Sequence, residues 1–138
     1  MRIMGLDVGE KRIGIALSDQ LGWTAQGHSV LTRSNLQQDL QYLANLCTSN
    51  EVGTIVVGFP RNMNGTVGPK GQEIMEFGRL LQDHLGLPVE YWDERLTTVA
   101  AQRVLLEANV TRRKRKQVID KLAAVNILQG YLDRQAHK

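Results

Sequence analysis

The chain has 138 residues, about one domain of the usual size, and a formal charge of +3 from 17 Lys and Arg against 14 Asp and Glu. Five cations are consecutive, Arg112-Arg113-Lys114-Arg115-Lys116; taking these five from 17 leaves 12 against 14 acids, so the pI of 9.2 belongs to one short segment. That excludes a histone-like coat of positive charge, and 42% apolar with 22% charged residues excludes a disordered chain.

Cys47 is the only cysteine, so an internal disulfide and a four-cysteine zinc site are excluded. The N-terminal stretch places Arg2 and Asp7 around a short apolar run, without the h-region of a signal peptide. No apolar run reaches the roughly 18 residues that span a bilayer. The expectation is a soluble, cytoplasmic protein with no membrane partner.

In chain order, Arg2 to Asp7 is a short apolar strand ending in an acid, and Val8-Gly9-Glu10-Lys11 supplies a turn. Arg12 to Ser18 resumes with Ile13, Ile15 and Leu17 at period two, and His28 to Thr32 is a third strand, giving an antiparallel meander. Asn35 to Thr48 has helical spacing at Leu36, Leu40, Leu43 and Cys47, with Ser34 or Asn35 as cap. Thr54 to Gly58 is a β-branched run suited to a buried parallel strand. A Gly-, Pro- and Asn-rich loop from Phe59 to Gly71 leads to a helix from Gln72 to Leu85, stopped by Gly86 and Pro88. Val89 to Trp92 is the fifth strand. A helix capped by Thr97 or Thr98 runs to about Ala108, the basic run follows as a connection, and a last helix covers Gln117 to about Asp133. The order βββ-α-β-α-β-α-α implies an α/β fold: one mixed five-stranded sheet with helices on both faces and a single domain over residues 1–138.

Three places carry acids that differ from ordinary surface acids. Asp7 ends a strand directly before Val8-Gly9, where a phosphate can approach bare backbone; the plain alternative is a turn residue bonding nearby amides. Asp93 and Glu94 end another strand, where ligands of α/β sheets gather. Neighbouring strand residues point to opposite faces, so one of the two enters a site while the other caps the next helix or pairs with Arg95. Asp120 shares a helical stripe with Ala124, Ile127 and Tyr131 and interrupts it; a rim position or an ion pair with Lys116 is the alternative. Carboxylates gathered at one point repel unless neutralised. Mg²⁺ or Mn²⁺, as a pair of ions about 4 Å apart, is the natural neutraliser and serves phosphodiester hydrolysis without a catalytic His or Cys.

Four stretches in this order carry a family resemblance: Gly5-Leu6-Asp7-Val8-Gly9-Glu10-Lys11-Arg12-Ile13-Gly14-Ile15-Ala16; Val57-Gly58-Phe59-Pro60 with Asn64-Gly65-Thr66; Asp93-Glu94-Arg95-Leu96-Thr97-Thr98; and Asp120-Lys121-Leu122-Ala123-Ala124 with Ile127-Leu128-Gln129-Gly130-Tyr131-Leu132. The chain resembles the YqgF/RuvX family over nearly its whole length. The resemblance implies a ribonuclease H-like fold. It implies a nuclease, either processing the 5′ end of pre-16S ribosomal RNA or resolving Holliday junctions in branched DNA. It also implies Asp7, Glu94 (or Asp93) and Asp120 as catalytic acids, with Asp7, Glu94 and Asp120 as metal ligands.

Around these acids, Arg12 and Arg95 are candidates for the scissile phosphate, since an arginine fork fits phosphate oxygens; Lys11 reads as surface charge. Asn64 in the long loop is a candidate on the phosphate path. Arg112, Arg113, Lys114, Arg115 and Lys116 would add sequence-independent affinity for nucleic acid. Trp23 and Trp92 are expected mostly in the core. A sugar-kinase or actin-like ATPase fragment also begins with Asp-x-Gly and a hairpin, but such proteins use two domains to close over ATP. A non-catalytic RNA-binding assembly factor would keep the fold and use only the basic run. The oligomeric expectation is a monomer or a homodimer, since cutting two strands of a junction together calls for two-fold symmetry.

Overall fold

The computed structural model describes residues 1–60, 67–93 and 112–136. Its elements are β1 (Arg2–Val8), β2 (Arg12–Ser18), β3 (Ala25–Thr32), α1 (Leu36–Ser49), β4 (Val52–Phe59), α2 (Pro69–Leu85), β5 (Val89–Asp93) and α3 (Arg112–Ala136). The helix expected after Thr97 lies outside the described residues.

The five strands form one sheet in the order β3-β2-β1-β4-β5. β1, β2 and β3 are antiparallel neighbours, while β4 runs parallel to β1 and β5 parallel to β4. This is the mixed, ribonuclease H-like sheet that the sequence implies.

Alternation along the strands sorts the core into two faces. Met4, Leu6, Val8, Ile13, Ile15, Leu17, Ile55, Val57 and Phe59 point to one face, where Leu40, Leu43 and Cys47 of α1 and Ile74, Phe77 and Leu81 of α2 cover them. The other face holds Gly5, Gly14 and Ala16, and α3 lies on it through Ala124, Leu128 and Leu132. Among the described residues, no helix is long and apolar enough to cross a membrane.

Four elements start two or more residues earlier than the sequence reading, each for a local reason. β3 begins at Ala25 instead of His28, because a bulge in its pairing between Ile15 and Ala16 hides the period-two pattern. The Ala25 amide is also held by Gln129 Oε1 at 2.9 Å. α2 begins at Pro69 instead of Gln72: proline is tolerated at a first helical position, where no amide donor is needed. β4 extends over Val52–Phe59, because Val52 pairs with Arg2 across an irregularity at Gly53 and Phe59 pairs with Asp93. The basic run is not a connection but part of α3, since a stretch with no apolar residue offers no periodicity to read. The caps follow expectation. Asn35 accepts from the Gln38 amide at 2.9 Å, and Gly86 ends α2 in the left-handed conformation.

Candidate active site

Asp7 is the second-last residue of β1, and its partner across the β1–β2 ladder is Gly14. Both lie on the α3 face. Gly14 is where α3 comes down on the sheet: a Cβ there would stand 2.1 Å from the Asp120 carbonyl oxygen. Only glycine admits that approach. It sets the helix carboxylate of Asp120 beside the strand carboxylate of Asp7, from positions 113 residues apart in sequence (120 against 7).

The electrostatics follow from that placement. Burial pushes the Asp7 carboxyl above its usual range, and the negative charge of Asp120 pushes in the same direction. Lys70, near the start of α2, opposes both. Asp120 has a second partner: Arg12 donates from Nε to Asp120 Oδ2 at 2.7 Å, with the two side chains 33% and 22% exposed. The arginine suggested for the scissile phosphate is therefore engaged with an acid, and it comes from β2, across the helix–sheet contact.

The turn after Asp7 is braced from below. The Gly9 amide donates to the Arg12 carbonyl at 2.9 Å, and a Cβ on Gly9 would meet that oxygen at 2.8 Å. Arg33 donates from Nη1 to the Gly9 carbonyl at 2.8 Å, and its amide donates to the Lys11 carbonyl at 2.9 Å. Its guanidinium lies 5.3 Å from the centre of the Phe77 ring and 3.8 Å from Asp39 Oδ2. Asp39 is 2% exposed and accepts from the Ser34 amide at 3.2 Å. Asp39, Arg33 and Lys70 are not among the candidates that the sequence offers, where most acids read as helix-surface residues. The signal for Asp39 was present: it lies four residues before Leu43, on the apolar stripe of α1.

The remaining candidates divide by position. Asp93 pairs with Phe59 and shares the alternation of Val89 and Tyr91, which pack towards α1 and α2. It thus stands on the sheet face opposite Asp7. Glu94, Arg95 and Asn64 lie outside the described residues. Arg112, Arg113, Lys114, Arg115 and Lys116 belong to the helical backbone of α3, four to eight residues before Asp120. The two tryptophans split. Trp92 is partly buried and packs on Gly130 of α3, whereas Trp23 is 74% exposed on the β2–β3 turn. There Asp19 holds the Trp23 amide at 2.7 Å and the Thr24 amide at 3.0 Å.

Chemically, the arrangement offers two carboxylates at a strand end, one destabilised by its neighbour. Oxygen donors that repel each other fit a hard divalent cation, whose charge relieves the repulsion. Among the described residues no group of three or more His, Cys, Asp or Glu is close enough to hold a metal ion.

Known proteins match this chain closely. The model of the RuvX family, described as Holliday junction resolvase, matches residues 1–134. A protein of Syntrophomonas wolfei named "Putative pre-16S rRNA nuclease" is 62% identical over 133 residues, covering 96% of this chain and 94% of the relative. A relative of the same name from Moorella thermoacetica is 61% identical over 134 residues, covering 97% and 96%. Among solved structures, Thermus thermophilus RuvC bound to a Holliday junction substrate superposes with a TM-score of 0.60 at 13% identity, covering 99% of this chain and 96% of that one. The fowlpox virus Holliday junction resolvase gives 0.55 at 13% identity, covering 97% and 99%. At such identity these two structures show a shared fold. The sequence matches show more: the chain belongs to the RuvX family.

Proposed function

We propose that this protein is a metal-dependent nuclease that hydrolyses phosphodiesters in structured nucleic acid, with the 5′ end of pre-16S ribosomal RNA as its substrate in ribosome assembly. One observation carries the reading. Asp7 is held at a strand end against Asp120, its carboxyl raised by burial and by that neighbour, an arrangement that a divalent cation would stabilise. The names of the relatives support the RNA substrate. The enzyme is a hydrolase, working in the cytoplasm as one domain over residues 1–138.

The metal ligands are Asp7, Asp120 and Glu94. Asp93, with its alternation towards α1 and α2, leaves its neighbour Glu94 as the better third acid. Mg²⁺ or Mn²⁺, as two ions, would supply an activated water and stabilise the leaving oxygen. Arg12 holds the Asp120 carboxylate in orientation and sits where it can turn to a phosphate. Arg95 and Asn64 contact the strand near the site. Arg112, Arg113, Lys114, Arg115 and Lys116 bind the sugar-phosphate backbone beyond Asp120, adding affinity without choosing sequence.

The second reading, resolution of Holliday junctions in branched DNA by a homodimer, is favoured by the description of the family model. One experiment separates the two. Purified protein is given a 5′-extended 16S precursor RNA and a DNA four-way junction, each with Mg²⁺, Mn²⁺ or EDTA, while its mass in solution is measured with and without the junction. Metal-dependent trimming of the RNA by a monomer supports the first reading. Paired cuts in the junction by a dimer replace it with the second. Full cleavage by Asp7→Asn, or in EDTA, sinks both.

A further inference from the structure

A cleft of about 260 Å³ opens where the turn after β1 meets α2. Gly9 and Glu10 of the turn, Lys70 and Glu73 of α2, and Arg33 are among the residues that line it. The two cations are not equivalent. Arg33 is committed to the Gly9 carbonyl and to Asp39. Lys70 is exposed, and among the described residues it forms no ion pair within 4.0 Å, although Glu73 is only three residues further along α2.

Lys70 also stands apart by location. α2 packs on the face of the sheet opposite α3, yet Lys70 lines this cleft together with Val8 and Gly9, the two residues directly after Asp7. A long flexible stem ending in a compact ammonium suits a phosphate oxygen better than it suits a fixed structural pair. The cleft itself does not suit a polyanion, because Glu10 and Glu73 both line it. A phosphate attracted to Lys70 would therefore stay at the mouth of the cleft and not enter it.

We propose that Lys70 binds a backbone phosphate of the substrate strand at the end of β1, from the sheet face opposite α3. This rests on the reading of Asp7 as the centre of the nuclease site. The strand would then cross the sheet end past Lys70 on α2, with Asp7 and Asp120 beneath it.

The test measures binding of a 5′-extended RNA hairpin by Asp7→Asn protein over a series of salt concentrations, with and without Lys70→Ala or Lys70→Arg. Loss of one phosphate contact lowers the slope of log affinity against log salt by about 0.7–0.9, so the defect of Lys70→Ala shrinks about threefold between about 50 and 200 mM salt. Lys70→Arg restores the slope. In protein with Asp7 intact, Lys70→Ala raises KM for the RNA more than it lowers kcat. An unchanged slope overturns the proposal. So does a displaced pH profile with an unchanged slope, which would leave Lys70 acting on Asp7 alone. Cleavage retained by Asp7→Asn is scored separately: it overturns the site reading, whatever the slope.

Discussion

The two faces of the sheet are built from different side chains, and they do different work. Towards α1 and α2, the strands present Met4, Leu6, Ile13, Ile15, Ile55 and Val57, all fully buried. Towards α3, β1 and β2 present Gly5, Gly14 and Ala16. Large side chains hold a helix off the sheet and gain stability through apolar burial, roughly 25 cal/mol per Å². Small ones give up that burial and let helix backbone descend onto strand backbone. A Cβ on Gly5 would stand 2.7 Å from Leu128 Cβ, and one on Gly14 would stand 2.1 Å from the Asp120 carbonyl. The first face stabilises the domain. The second brings a helix carboxylate, a strand carboxylate and an arginine to one point.

The largest expected effect comes from the destabilised acid on the α3 face. Asp7→Asn should lower metal-dependent cleavage at least about 100-fold, since a direct ligand should matter more than the outer-shell groups that typically cost 10–100-fold. The same substitution should make the metal-free protein more stable near neutral pH. A carboxyl raised in the folded state binds its proton more tightly there than in the unfolded chain. Stability therefore falls as pH rises from the ordinary carboxylate range through the raised value, and stays reduced above it. Thermal melts of wild type and Asp7→Asn from about pH 4 to 8 check this: the variant should lose part of the downward slope and melt higher at pH 7. A lower melting point at pH 7 would mean that Asp7 is better satisfied than its surroundings indicate.

Next in size is Arg12→Ala, which leaves the Asp120 carboxylate without its 2.7 Å donor. Cleavage should fall about 10–100-fold, with a matching loss of Mn²⁺ affinity by calorimetry. If RNA binding falls while Mn²⁺ affinity holds, Arg12 serves the phosphate and not the acid.

Most of this architecture was legible in the sequence, for physical reasons that also explain the exceptions. Period-two alternation in Arg12–Ser18 and helical spacing in Leu36–Ser49 depend on burial of one face, and burial of one face is what the pattern records. Asp7 and Asp120 were visible as acids where acids are unfavourable, at a strand end and on an apolar stripe. What was not legible is contact between residues far apart. Arg12 is 108 residues from Asp120, and its choice of that partner over a phosphate depends on how closely α3 descends at Gly14. Arg33 and Lys70 look like ordinary surface cations until the turn after β1 is folded against α2. Lys and Arg in the basic run favour helix but bring no apolar rhythm, so their inclusion in α3 left no trace in the pattern.

A third prediction tests whether close approach, and not apolar area, is what the α3 face supplies. Gly14→Ala adds one methyl where 2.1 Å is available, so α3 must shift. Overpacking of this kind costs about 1–3 kcal/mol, and the shift should also separate Asp120 from Asp7. The activity of the folded fraction should fall as well as the denaturation midpoint.

The smallest expected effect is the matched control on the other face. Ile55 is fully buried among the α1 and α2 side chains, and Ile55→Val removes one methylene from that core. The cost should be about 0.5–1.5 kcal/mol, read as a shift of the urea midpoint with unchanged slope. Activity per folded molecule should stay at the wild-type level, because the lost volume lies across the sheet from Asp7. Close-packed interiors transmit strain, so this is not a foregone result. Should Ile55→Val and Gly14→Ala reduce specific activity alike, the two faces would be mechanically coupled through β1 and β4, and the separation of stability from chemistry drawn above would fail. If only Gly14→Ala does so, the sheet works as a partition: bulk on one side fixes the strands, and its absence on the other lets α3 deliver Asp120.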